Sequence, residues 1–431
     1  MPPPNLTAKS VGLEHTETVP LNQIADRVMR GEVIVLPQCM QAIGYFEQLK
    51  QASLAGIRQA VGEHKAVRVR ADGFEAVHTI IELDELKSIV RSNYKIFRRL
   101  APVLSTKIVK SVFQTEKPFY FEAEPNVQFE IPYDEVGRTE LSSWRWSGKI
   151  TARCPDRDSW HGSPSNSINI WIAVGAVRFG NGISLYPQVY GKRLPCTKDG
   201  KILPNQYFGR ALNFELEPGD AIIFHGEHLH SSELNSTDDT RHVVSLRITL
   251  EKPKFLKKSK SSSQFIYSGF GGEFMAKLDR IVTKVSHRIA KLINFSFGRS
   301  HSAQRAVFDD TSADFPQQLP LETEVGTASS PANLSFDSSK LKVGEIRPLS
   351  PNLCATRLNK NRVVVFSRHC PHQGADLAAG YVVDGCVVCP WHNLPFSMNS
   401  GASPCQSLPH LTVFEYSQSS EKDESQTPSL C

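Results

Sequence analysis

The sequence predicts a mainly β protein with helices, a β-sandwich or jelly roll followed by a second, smaller domain, and three observations carry that expectation. Five short apolar or alternating runs, Glu32 to Pro37, Asn126 to Ile131, Ser167 to Val174, Asp220 to Phe224 and Val243 to Leu250, have strand character and lie between Gly/Pro turns. Helical periodicity dominates only between about Gln41 and Leu104, so strands and helices do not alternate as a parallel α/β sheet requires. At 431 residues the chain exceeds what one hydrophobic core usually organises.

In chain order, residues 1–31 read as an N-terminal extension and 32–252 hold all five strands. Residues 253–297 open within the basic run KPKFLKKSKSSS, Lys252 to Ser263. They continue from Glu273 to Phe295 with Phe274, Leu278, Ile281, Val282, Val285, Ile289, Leu292 and Ile293 at helical spacing, an amphipathic helix expected to pack on the preceding domain. Residues 298–331 are polar and read as a flexible linker, 332–417 as the second domain, and 418–431 as a disordered tail.

Composition narrows the function classes. A 40% hydrophobic and 22% charged chain is an ordinary soluble one. No apolar run approaches the ~20 residues of a membrane span, and MPPPNLTAKS lacks the apolar stretch of a signal peptide, so a cytoplasmic protein is expected. The net charge of +5 has a local source in the basic run, which reads as solvated linker. No nucleic-acid motif accompanies it, and no nucleic-acid partner is expected.

The strongest signal is a pair of ligand motifs, Cys370-Pro371-His372 and Cys389-Pro390-Trp391-His392, with sixteen residues between His372 and Cys389. Two thiolates on one iron and two neutral imidazoles on the other, each motif giving one of each, is the donor set of a Rieske [2Fe-2S] cluster. A zinc site takes the same donors but usually groups like with like, CxxC then HxxxH. The run CPHQGADLAAGYVVDGCVVCPWHNLPF resembles the Rieske ferredoxin and Rieske oxygenase family over roughly Ala332 to Ser417. Ala375 and Trp391 stand where respiratory Rieske proteins carry an extra disulfide, so the resemblance is to the lower-potential branch, which delivers electrons to an oxygenase or reductase partner. Of nine cysteines, the seven outside these motifs show no spacing pattern, as expected of reduced thiols.

Upstream, Pro218 to Arg247 places a strand, then His230, Asn235 and Arg241, eleven residues beyond His230, before a second strand; Asp156 to Pro187 adds a carboxylate-bearing strand end. Together these resemble the phytanoyl-CoA dioxygenase-like branch of the Fe(II)/2-oxoglutarate oxygenases over roughly Glu32 to Lys252. The resemblance implies a double-stranded β-helix beside a small all-β Rieske domain. It also implies a mononuclear Fe(II) held by Asp158 and His230, and 2-oxoglutarate anchored by Arg241, whose planar fork lysine cannot reproduce. Trp160, Trp171 and Phe224 read as core or pocket wall, Pro125 to Gly137 as sheet or pocket lining, and His225 and His228 as solvent-facing or loop-bonding.

The first iron ligand departs from the family: the histidine expected two residues before Asp158 is Asp156. Three readings follow. Asp156, Asp158 and His230 hold iron between them; His161 supplies the imidazole; or the site is lost. The expected function is an iron-dependent dioxygenase of a small organic substrate with a fused Rieske electron donor fed by an external reductase. The alternatives are an electron carrier with a non-catalytic dioxygenase-like domain, or a Rieske non-haem oxygenase, whose usual domain order is the reverse.

Overall fold

Alternation with period two explains how one sheet in this chain serves two cores. In the computed structural model the described residues are 6–137, 155–194, 202, 208–255, 265–269, 336–372, 374–406 and 408–416. The basic run beyond 255, the amphipathic helix, the linker and the tail therefore lie outside the described residues. The described residues form two compact units, one N-terminal and joined by Trp391–Leu394 and Pro404–Ser407, the other made of the remaining C-terminal residues.

The first unit runs β1 (Lys9–Val11), β2 (Thr16–Thr18), α1 (Ile24–Met29), β3 (Ile34–Leu36), α2 (Cys39–Ala42), α3 (Phe46–Val61), α4 (Glu63–Asp72), α5 (Val77–Ile80), α6 (Leu83–Val112), β4 (Tyr120–Glu122) and β5 (Asn126–Glu130). It continues through α7 (Tyr133–Gly137), β6 (Ile168–Ala173), β7 (Ile183–Leu185), β8 (Ala221–His225), β9 (His230–Ser232), β10 (Arg241–Thr249) and β11 (Phe265–Tyr267). Nine strands pair in the order β11-β4-β10-β6-β8-β3-β1-β2, with β5 also on β10. The stretch read as an extension enters this sheet, because β1 pairs antiparallel with β3.

Side chains on a strand point alternately to opposite faces. On β6, β8 and β10, Ile170, Ile172, Ala221, Ile223, Val244, Leu246 and Ile248 enter the core shared with α3 and α6. The intervening Trp171, Ala173, Ile222, Phe224 and Val243 pack instead against Val177, Leu212 and, from the smaller sheet formed by β7 and β9, Ile183 and Leu185. Two sheets enclosing an apolar layer, with helices outside the larger one, are the jelly-roll architecture the strand pattern predicts. Helix α6 begins at a capping box between Glu82 and Glu85 and outruns the sequence expectation by a full two turns. Its interior Pro102 does not stop it, and buried Phe97, Leu104, Ile108 and Val112 hold it on the sheet. Each such burial contributes about 1.5–3 kcal/mol, the same size as proline's penalty of about 3 kcal/mol.

The second unit is all β: β12 (Ile346–Pro348), β13 (Leu353–Asn359), β14 (Arg362–Ser367), β15 (Tyr381–Val383), β16 (Cys386–Val388), β17 (Pro395–Ser397) and β18 (Val413–Tyr416). Strands β12-β13-β14-β18 make one sheet and β15-β16-β17 a three-stranded meander. Leu341, Leu353, Ala355, Val363 and Val365 form its core. Gly401 has φ +72°, and a Cβ there would collide with the Leu411 carbonyl, so only glycine fits.

Candidate metal and electron-transfer sites

The inner face of β10 carries two arginines into the interior of the first unit. Arg241, Val243, Ser245 and Arg247 alternate onto that face, and both arginines are buried or nearly so. Glu130 is the direct cross-strand partner of Arg241. Its carboxylate takes Arg241 Nη2, which also donates to Gln128 Oε1 at 2.7 Å and Ser232 Oγ at 3.1 Å. Nη1 donates to the carbonyls of Asn181 at 2.9 Å and Gly182 at 2.6 Å. With 0% exposure, the guanidinium is engaged on both outer nitrogens from within the fold. The expectation that Arg241 anchors 2-oxoglutarate thus differs from what is seen: a carboxylate already faces it, and these residues as placed do not fit a second one. Burial pushes Glu130 up to about 7, against the pull of the Arg241 charge.

Six residues along, Arg247 bridges two acids, Glu122 Oε2 at 2.9 Å and Asp158 Oδ1 at 2.6 Å. Asp158 lies in the 3-10 turn Asp158–His161, its side chain 5% exposed, and its other oxygen takes Asn169 Nδ2. Burial alone would raise the Asp158 carboxyl; the Arg247 charge, His230 and these hydrogen bonds bring it below the usual range. Asp158, expected as the metal carboxylate, is held as a counter-ion.

Asp156 and His230 come together differently. They form an antiparallel bridge, each N–H donating to the other's carbonyl at 3.0 Å. Directly opposed residues on a ladder send their side chains to the same face, about 5 Å apart at Cβ. The His230 ring is set by Nδ1 against the His228 carbonyl at 2.9 Å and lies edge-on to Phe224. Asp156 Oδ2 meets His161 Nε2 at 3.0 Å, with side chains 22% and 44% exposed. Among the described residues no three His, Cys, Asp or Glu side chains stand around one point.

His225 and His228, read as solvent-facing or loop-bonding, are both buried. His228 Nε2 meets the Gly31 carbonyl at 3.0 Å, and His225 Nδ1 accepts from the Glu227 N–H at 3.1 Å. Burial takes His225 down to about 4 and His228 down to about 3, so both are neutral at pH 7. Trp171 and Phe224 are buried in the inter-sheet layer, as expected. Glu122, Gln128 and Glu130 were not singled out in the sequence. The available signal was polar residues at alternate positions of an otherwise apolar strand, since charges turn inward only to meet a partner.

Cys370 and His372 lie on the loop between β14 and β15, and Cys389 and His392 on that between β16 and β17. Cys370, Cys389 and His392 are 3%, 1% and 2% exposed. Burial takes His372 down to about 4, leaving its imidazole neutral, the form that binds a metal. The first loop folds on itself through Cys370 N–H to Ala375 O at 2.9 Å and Gly374 N–H to Cys370 O at 2.8 Å. Arg368 staples it with a two-bond fork to Asp376, at 2.9 and 2.7 Å. Two buried thiols and two imidazoles on turn-braced loops fit a Rieske cluster.

Comparison with known proteins places both halves. Residues 335–416 match the Rieske [2Fe-2S] domain family, and residues 154–243 match the phytanoyl-CoA dioxygenase (PhyH) family. The chain is therefore a PhyH-type domain followed by a Rieske domain, and a Rieske domain implies a [2Fe-2S] cluster. Particular relatives are similar over a short stretch. Cholesterol 7-desaturase nvd of Drosophila melanogaster is 38% identical over 79 residues, 17% of this chain and 18% of the relative. Aminopyrrolnitrin oxygenase PrnD of Pseudomonas fluorescens is 56% identical over 32 residues, 7% of this chain and 9% of the relative. The chain thus spans less than a fifth of the curated relatives it matches. The solved epimerase SnoN, in complex with Fe3+, alpha ketoglutarate and nogalamycin RO, is 17% identical over 59% of this chain and 88% of its own, with a TM-score of 0.34, too low to carry an argument. No described helix is long and apolar enough to cross a membrane.

Proposed function

We propose that this chain is an iron-dependent oxygenase with its electron donor fused behind it, oxidising a small organic substrate with O2 and fed by an external reductase in the cytoplasm. The observation that carries the reading is the joining of an oxygenase-family domain to a one-electron carrier in a single chain. Hydroxylation puts one oxygen atom of O2 into a C–H bond and reduces the other to water, which takes two electrons and two protons beyond those of the substrate. A Rieske cluster held by Cys370, His372, Cys389 and His392 supplies electrons singly. The engagement of Arg241 by Glu130 favours a supply through the cluster over one from 2-oxoglutarate.

The same Glu130 contact, with Asp156 at the family's histidine position, favours a second reading, an electron carrier whose PhyH-type domain is non-catalytic. Iron counting with EPR after anaerobic reconstitution separates them. Three irons per chain, and O2 consumption coupled to a reductase and a substrate from a broad panel, support the oxygenase. Two irons, all in the cluster, with no turnover, sink it in favour of the carrier.

A further inference from the structure

We infer that Glu130 is a resident carboxylate standing where a dicarboxylate co-substrate would place its distal one, so that Arg241 is closed from within and 2-oxoglutarate is refused at this anchor. The inference rests on the reading that this unit is built as an oxygenase, and it names the residue that decides its co-substrate.

Two sets of observations support it. The first is geometric. A guanidinium recognises a carboxylate through its outer nitrogens, with parallel N–H donors meeting the two oxygens. On Arg241 those nitrogens are taken by the Glu130 carboxylate, Gln128 Oε1, Ser232 Oγ and two carbonyls. Gln128 and Glu130 lie two apart on β5 and so face Arg241 together, and the β5–β10 register sets Glu130 directly opposite it. The Glu130 side chain is 2% exposed. An incoming dicarboxylate would break these bonds and leave Glu130 buried beside a like charge, without its cation.

The second is the balance of charge around the anchor. Glu233, buried like Glu130, acts on the same guanidinium. Its carboxylate accepts from the N–H groups of Gly180 at 2.8 Å and Gly182 at 3.1 Å and from Asn213, while the Gly182 carbonyl takes Arg241 Nη1. One turn thus grips the guanidinium and a second acid at once. Further along β10, Arg247 is matched by Glu122 and Asp158. Burial raises Glu122 and Glu233 toward the neutral form. With both protonated, Glu130 and Asp158 still match the two arginines one to one, and this pairing leaves neither arginine with surplus charge to draw in a dianion.

The test is calorimetric titration of 2-oxoglutarate, and separately of acetate, into the full chain with its cluster loaded, at neutral pH. The parent should show no saturable heat with either. Glu130→Ala removes the resident carboxylate and opens a place of its size. Acetate should bind there saturably and raise the variant's melting temperature, and 2-oxoglutarate should bind at least about tenfold more tightly than to the parent, the scale on which one like-charge contact is felt. Glu130→Ser, which leaves Arg241 an acceptor, serves if Glu130→Ala does not fold. Adding Arg241→Met to either variant should abolish both gains. Saturable binding of 2-oxoglutarate to the parent, variants no better than the parent for both ligands, or gains that survive Arg241→Met overturn the inference. Each of these leaves the oxygenase reading to the iron count and O2 coupling, which do not depend on this anchor.

Discussion

Arg241 and Arg247 occupy the same face of one strand six residues apart, and each is neutralised by acids of the fold. For a buried ion pair the cost of removing one partner exceeds the worth of the pair, because a lone charge is left in a low dielectric. Glu130→Ala is therefore expected to lose about 3–5 kcal/mol in denaturant unfolding, and Glu130→Met with Arg241→Met to recover most of it. If Glu130 stands where a co-substrate carboxylate would, 2-oxoglutarate should raise the melting temperature of Glu130→Ala by several degrees and leave the parent unmoved; a parental rise would show that Glu130 yields the place. His242 makes a different residue-level prediction. It is fully buried, stacked on Phe129 at 3.8 Å, bonded to Ser53 Oγ at 2.8 Å and the Gln128 carbonyl at 2.9 Å, and taken down to about 3 by burial. Its folded value lies below its unfolded one near 6.5, so the unfolded chain binds the extra proton. Stability should be complete above pH 6.5 and fall as pH drops toward 3, at up to about 1.4 kcal/mol per pH unit from this ring. His242→Asn should flatten that acid limb by close to one proton; an unchanged slope would place the ring's neutral form elsewhere.

At the scale of elements, all five strands read from the sequence exist, as β3, β5, β6, β8 and β10, each within a residue or two of its expected ends. They were legible because their outer faces are continuous apolar stripes under α3 and α6. The missed strands of this unit, β1, β2, β4, β9 and β11, are three residues each, and β2 is exposed throughout, so no hydrophobic period marks them, whereas β7 was announced by its Gly-Asn-Gly turn. The jelly-roll class follows from the long strands alone, whereas the closing rungs of the smaller sheet depend on tertiary pairing. The same split governs the site. Cys370, His372, Cys389 and His392 could be read off because cluster chemistry demands a fixed local spacing. Arg241 could be located, but its engagement by Glu130 could not, since the partners are 111 residues apart and meet only through the β5–β10 register. His161 against Asp156, five residues apart, depends on a 3-10 turn that no periodicity announces.

For the whole molecule, two units with separate cores imply separable stabilities. The larger one combines a helix-packed core with an inter-sheet layer, and the smaller depends on a short list of β-core side chains. Small cores are marginal, and a bound cluster adds its binding free energy to folding. Calorimetry should resolve two transitions. Removal of the cluster by acid and chelator should shift the lower one by several degrees and leave the upper within about a degree. A single transition that moves as a whole would mean that the two units fold as one.

The rung between Asp156 and His230 is made entirely of main-chain hydrogen bonds. An address written in backbone is indifferent to the side chain that occupies it. Any side chain placed at position 156 arrives opposite His230, so a carboxylate there can be exchanged for an imidazole without rebuilding the pairing. One codon change, Asp156→His, spells the His-Arg-Asp motif again in a scaffold already spaced for it.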